Sequence, residues 1–150
     1  MFLRTFATGA LAALLAGASA ARCESVGAGQ AARSETVAWP GSSLILFGAR
    51  WCAPCVAELR ELDPLAIAAH PQRLVLAWID HPVHLSTPAQ RVETLQPDVA
   101  QHLAERSAGR GFGLPLAVMT DAVGRPCALR RARVHPADVA AMRARCGSVP

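Results

Sequence analysis

The chain has 150 residues, 52% of them apolar, and carries 15 basic against 11 acidic residues for a net charge of +4. That length fits one domain and that apolar share is enough to fill its core. Every basic residue is an arginine and the excess is scattered. Only Arg130, Arg131 and Arg133 cluster, and without interleaved aromatics they read as an exposed strand face rather than a nucleic-acid surface.

At the N-terminus, Arg4 precedes an apolar run from residue 6 to 16, and Ala18-Ser19-Ala20 follows. This charged, apolar, small-residue order is that of a secretory signal peptide over residues 1–20. The run is interrupted by Gly9 and Gly17 and is shorter than the ~20 residues of a spanning helix, so no membrane span is expected after cleavage. Arg22 before Cys23 argues against a lipidated cysteine. The remaining chain has a net charge of +3. Residues 21–35, rich in Ala, Gly and Ser, read as a flexible lead-in, and residues 36–150 as the folded domain. A periplasmic or secreted location follows from the signal peptide.

Within the domain, apolar runs at 44–47, 74–79 and 116–119 have the length and continuity of strands covered on both faces. Between the first two, Val56, Leu59, Leu62 and Leu65 recur at helical spacing, with Pro64 expected to bend or restart the helix. Pro88 and Pro97 sit where a first helical turn tolerates proline, which predicts short helices over 88–95 and 97–107. Asp121-Ala122-Val123-Gly124 reads as a turn into a strand at 126–134, and Pro136 opens a last helix ending near Cys146.

The chemistry is concentrated in Trp51-Cys52-Ala53-Pro54-Cys55. Zinc would require a second ligand pair at suitable distance, and the chain has no second C-x-x-C. A redox pair requires the first cysteine between a strand end and a helix start, where unpaired amides and the helix dipole favour the thiolate. The strand at 44–47 and the helix from 53 supply that setting. Cys52 is therefore the expected nucleophile and Cys55, one turn on, the resolving thiol. Trp51 is expected to cover the edge of the site. Arg50 either adds positive potential or is simply solvated.

These residues with Glu58-Leu59 behind them resemble the W-C-x-P-C-x-x-E-L signature of the thioredoxin superfamily, above all its exported TlpA and ResA-like branch. Gly113-Leu114-Pro115, a strand, and Asp121-Ala122-Val123-Gly124-Arg125 resemble that family's later segment. The resemblance implies an α/β thioredoxin fold, a central mixed β-sheet flanked by helices, with a short helical insertion before a cis-proline. It also implies that Pro115 is cis and faces the C-x-x-C, with Leu114 contacting substrate; Trp51 and Pro54 are further substrate-binding candidates. The implied activity is protein-disulfide oxidoreduction, without a cofactor, with protein thiols and disulfides as partners and a membrane-bound electron donor as a further candidate. Ala53-Pro54 lacks the histidine of strongly oxidising sites, which tilts the expectation toward a reductant or electron relay.

Two positions depart from thioredoxin itself, whose buried acid and its lysine partner correspond to Leu46 and Leu76 here. Proton transfer to Cys55 then needs another group, and Glu58 and Asp80 are the candidates. Each also fits a bland role, an exposed helix residue and a strand-end cap. Of the remaining cysteines, Cys127 can pair with Cys146, Cys23 can pair with either, or all can remain free thiols. A rival reading makes Cys52, Cys55, His81 and His84 a copper site in a periplasmic metallochaperone, since copper accepts thiolate and imidazole alike. His70, His102 and His135 are given no function.

Overall fold

A computed structural model describes residues 37–82 and 92–147. The signal peptide, the lead-in with Cys23, His84 and the first part of the helix expected at 88–95 lie outside the described residues. Five strands form one sheet: β1 (Ser43–Gly48), β2 (Arg73–Trp78), β3 (Val92–Thr94), β4 (Leu116–Thr120) and β5 (Pro126–Arg130). Their spatial order is β3-β2-β1-β4-β5, parallel among the first three and antiparallel from β1 to β5.

The continuous apolar runs are explained by helices on both faces. Leu44 and Leu46 point to one side with Leu74 and Leu76, against α2 (Leu62–Ala69) and α4 (Pro136–Gly147). Ile45 and Phe47 point to the other, against Ala100 and Leu103 of α3 (Pro97–Ala108). Each alternate residue therefore enters a separate core, and no polar face is left to break the run.

Three local expectations are revised. The helix expected at 88–95 is replaced over Val92–Thr94 by the edge strand β3, which pairs parallel with Leu74 to Leu76. Three residues are too few for a period to register in the sequence, while the neighbouring prolines suited a helix start. The helix after the C-x-x-C does restart, but upstream of Pro64. A 3₁₀ turn (Leu59–Glu61) separates α1 (Ala53–Glu58) from α2, and Pro64 falls in the first turn of α2, where its missing N–H leaves no helical bond unmade. The strand expected at 126–134 stops at Arg130, because the chain then leaves the sheet to reach the helix carrying Glu58.

The hairpin turn is built by Asp121, whose carboxylate accepts from the N–H groups of Val123 and Arg125 and from Arg125 Nε. Gly124 completes it at φ 81°, and a Cβ there would stand 2.5 Å from the carbonyl oxygen of Trp39.

Candidate active site

Strand β1 ends at Gly48, and the chain turns through Arg50 and Trp51 into α1. Cys52 is the N-cap of α1, in extended conformation, and Cys55 N–H points at its Sγ over 3.3 Å. Pro54 lies in the first helical turn, where it needs no amide partner. Cys52 and Cys55 are joined in a disulfide with Cα atoms 5.3 Å apart. Only 4% of Cys52 and 2% of Cys55 reach solvent, whereas Trp51 beside them is 70% exposed.

Antiparallel pairing sets Leu116 of β4 opposite Phe47 of β1, so Leu114 and Pro115 lie at the same sheet end as the Cys52 turn. The Leu114–Pro115 peptide is cis. Leu114 is half-buried and packs against the cluster containing Cys52 and Cys55. A second cis peptide, His70–Pro71, precedes β2 at the opposite sheet end and had no sequence signal.

Beneath the disulfide, Leu46 and Leu76 are buried and in register on neighbouring strands. Leu46, Leu76, Gly48 and Trp78 line a small cleft together with Cys55 and Glu58, with about 10 Å³ open to a water centre, close to the space of one molecule. Gly48 permits that proximity: a Cβ there would stand 3.0 Å from Cys55 Cβ and 3.4 Å from the Trp78 ring.

Glu58 is 4% exposed, so it is not a solvated helix residue. The buried face of the helix runs through Cys55, Glu58, Leu62, Leu65 and Ala69, whereas Val56, assigned to the buried stripe from its spacing, is exposed and Leu59 half-buried. Glu58 Oε1 accepts from Val134 N–H at 2.5 Å. Burial pushes its carboxyl above the ordinary value of 4.5, against the opposing pull of the Val134 N–H, Arg133 and His135 and with the help of the neighbouring Glu61.

Asp80 has the opposite character. Its partial burial acts upward, but the His81 ring and the Arg50 N–H together hold its carboxyl below the usual carboxylate range. Oδ2 accepts from Arg50 N–H at 2.9 Å, and His81 Nδ1 lies 2.7 Å from Oδ1. Asp80 thus ties the end of β2 to the turn before Cys52. The Arg50 side chain, exposed and 3.7 Å from Asp80, adds a surface pair of small worth.

The His81 ring lies 5.9 Å from that of Trp78. Among the described residues, no three His, Cys, Asp or Glu side chains come together as a metal site. Cys127 and Cys146 form the second disulfide, between β5 and the end of α4. The arginine cluster is tied into the fold: Arg130 to Asp138 at 3.2 Å, Arg131 to the Ala108 carbonyl, and Arg133 to Glu61 at 2.6 Å. Sequence reading missed Glu61, Arg133 and His135 as neighbours of Glu58. The only trace of that grouping is the i,i+3 spacing of Glu58 and Glu61.

No protein-family model matches the sequence, and no curated protein matches it. Among solved structures, the chain is similar to a thio-disulfide isomerase from Thermus thermophilus, at 16% identity and TM-score 0.50, over 74% of this chain and 82% of that one. It is also similar to StoA from Bacillus subtilis, at 14% identity and TM-score 0.46, over 69% and 84% of the two chains. With its mixed five-stranded sheet and flanking helices, the chain has the thioredoxin fold.

Proposed function

We propose that the chain is an exported thiol-disulfide oxidoreductase that reduces, or relays electrons to, protein disulfides through Cys52 and Cys55. The observation that carries this reading is the position of the pair: Cys52 caps a helix, Cys55 N–H points at its sulfur, and the cis Leu114–Pro115 peptide shares its sheet end. Donor groups aimed at a sulfur favour its thiolate.

In the reducing direction, Cys52 thiolate attacks one sulfur of a substrate disulfide. The Cys52–substrate bond forms, the substrate S–S bond breaks, and the other substrate sulfur leaves as a thiolate that takes a proton from water. Cys55 then gives its proton to Glu58, directly or through a water in their common cleft, and its thiolate attacks Cys52 Sγ. The mixed disulfide breaks, the second substrate sulfur leaves and takes up a proton, and the two electrons of the dithiol have passed to the substrate. A donor dithiol, carried by a membrane-bound partner in this reading, restores Cys52 and Cys55. Glu58 suits the acceptor role because burial keeps its proton affinity high, while Asp80 is committed to Arg50 and His81. Leu114 would offer its backbone to an extended substrate, with Trp51 and Pro54 at the rim.

Cys55→Ser tests the reading: it should accumulate mixed disulfides between Cys52 and exported proteins, visible on non-reducing gels. No trapped species would sink it. A reduction potential near the ~ -120 mV of a strong oxidant would reverse the direction of electron flow and refute the reductant role.

A further inference from the structure

Glu61 makes no contribution to the cysteine pair itself, yet it is the hub of the charged group around Glu58. Its Oε1 takes Arg133 at 2.6 Å, and its Oε2 lies 3.4 Å from His135 Nδ1. Val134, between those two residues, donates its N–H to Glu58. Glu61 therefore holds the Arg133 end of a three-residue segment whose middle amide touches the buried carboxyl, while its own Oε2, near His135, makes no hydrogen bond.

We propose that Glu61 is a positioning residue of the redox site: by pairing with Arg133 it holds the guanidinium out of a direct ion pair with Glu58 and leaves Glu58 able to carry a proton beside Cys55. The inference rests on the reading of Glu58 as proton acceptor. Two features of the group support it. Arg133 Nε is buried without a hydrogen-bond partner, so the guanidinium has a donor to spare. Glu58 already accepts the N–H of Val134, so the residue next to Arg133 stands against its carboxyl. The charged groups acting on Glu58 are Arg133 and His135 from the segment before α4 and Glu61 from the 3₁₀ turn, and of these only Glu61 raises its proton affinity.

The test reads Glu58 directly, by carboxyl carbon NMR of oxidised protein labelled with ¹³C-glutamate, Glu58→Gln serving to assign the signal. In Glu61→Gln the titration midpoint of Glu58 should fall by about one pH unit, as expected for a carboxyl that gains a cationic neighbour. In Glu61→Asp, which retains the charge, it should stay near the native value. Arg133→Gln should move it upward, and this variant decides the matter if Glu61→Gln does not fold. A midpoint unmoved or raised in Glu61→Gln, or unmoved in Arg133→Gln, overturns the proposal. Because no thiol takes part, the result is separate from that of Glu58 as acceptor. A midpoint that falls while Glu58→Gln leaves disulfide exchange intact would uphold the positioning and remove the catalytic role.

Discussion

The Cys52–Cys55 disulfide closes a separation of three residues at the head of α1, whereas Cys127–Cys146 closes nineteen and ties β5 to the end of α4. The first has an amide aimed at its outer sulfur and a buried carboxyl in the cleft beside its inner one. The second joins an edge strand to a helix that is independently held, because Arg143 donates to the Ala68 and His70 carbonyls and to Gln72 Oε1. The same S–S bond is thus set once beside a helix start and a buried carboxyl and once among groups that fix a helix. Sulfur chemistry is decided by what surrounds the bond.

Substitutions can break this contrast. The largest effect is expected from Cys52→Ser, which should reduce exchange with a synthetic peptide disulfide to the uncatalysed rate in a stopped assay. Its unfolding free energy should fall by about 2 kcal/mol at most, because closing so short a loop removes less freedom from the unfolded chain than closing a long one. Next, joint replacement of Cys127 and Cys146 by Ser should lower the unfolding free energy by about 3 kcal/mol, measured by urea titration, through the larger loop set free in the unfolded state. Exchange rates should hold, because Arg143 keeps α4 in place. A parallel loss of activity would mean that the two bonds are coupled and that the contrast is false.

Much of the first region was legible in the sequence. The cysteine spacing lies between an apolar strand and a helix start, and Gly113-Leu114-Pro115 carries a family resemblance, so Cys52, Cys55 and the cis peptide could be named together. Glu58 was legible only as a candidate. Its burial follows from helix phase: the apolar stripe Val56, Leu59, Leu62 and Leu65 is right at its second half, but in the first turns the buried face passes through Cys55 and Glu58 instead of Val56. The 3₁₀ turn at Leu59–Glu61 disturbs the period further. Strand β3 was hidden by its brevity, and the Arg133–Glu61 contact by its span of 72 residues. The pairing of Cys127 with Cys146 was one possibility among several, because spacing alone does not encode how α4 folds back on β5.

The contrast is sharpened last, and with the smallest stability effect, by Glu58→Gln. Glutamine retains an oxygen for Val134 N–H and removes the titrating proton. In single-turnover experiments near neutral pH the resolving step should slow on the order of 10²-fold, with the mixed disulfide accumulating. Stability gives an independent reading. Burial raises the Glu58 carboxyl above 4.5 in the folded protein, so between 4.5 and that raised value the folded state binds more protons than the unfolded one. Stability from this group is fully present below 4.5 and is lost as pH rises through the window. Asp80 and Asp121 are shifted downward from 3.8, so their contributions disappear only as pH falls below that value and do not overlap. Urea unfolding of the oxidised protein should therefore give a stability difference between native and Glu58→Gln chains that is flat below 4.5 and moves in favour of the variant above it. A flat difference across the whole range would mean that Glu58 binds its proton no more tightly when folded than when unfolded. The first disulfide would then lack the proton acceptor that separates its surroundings from those of the second.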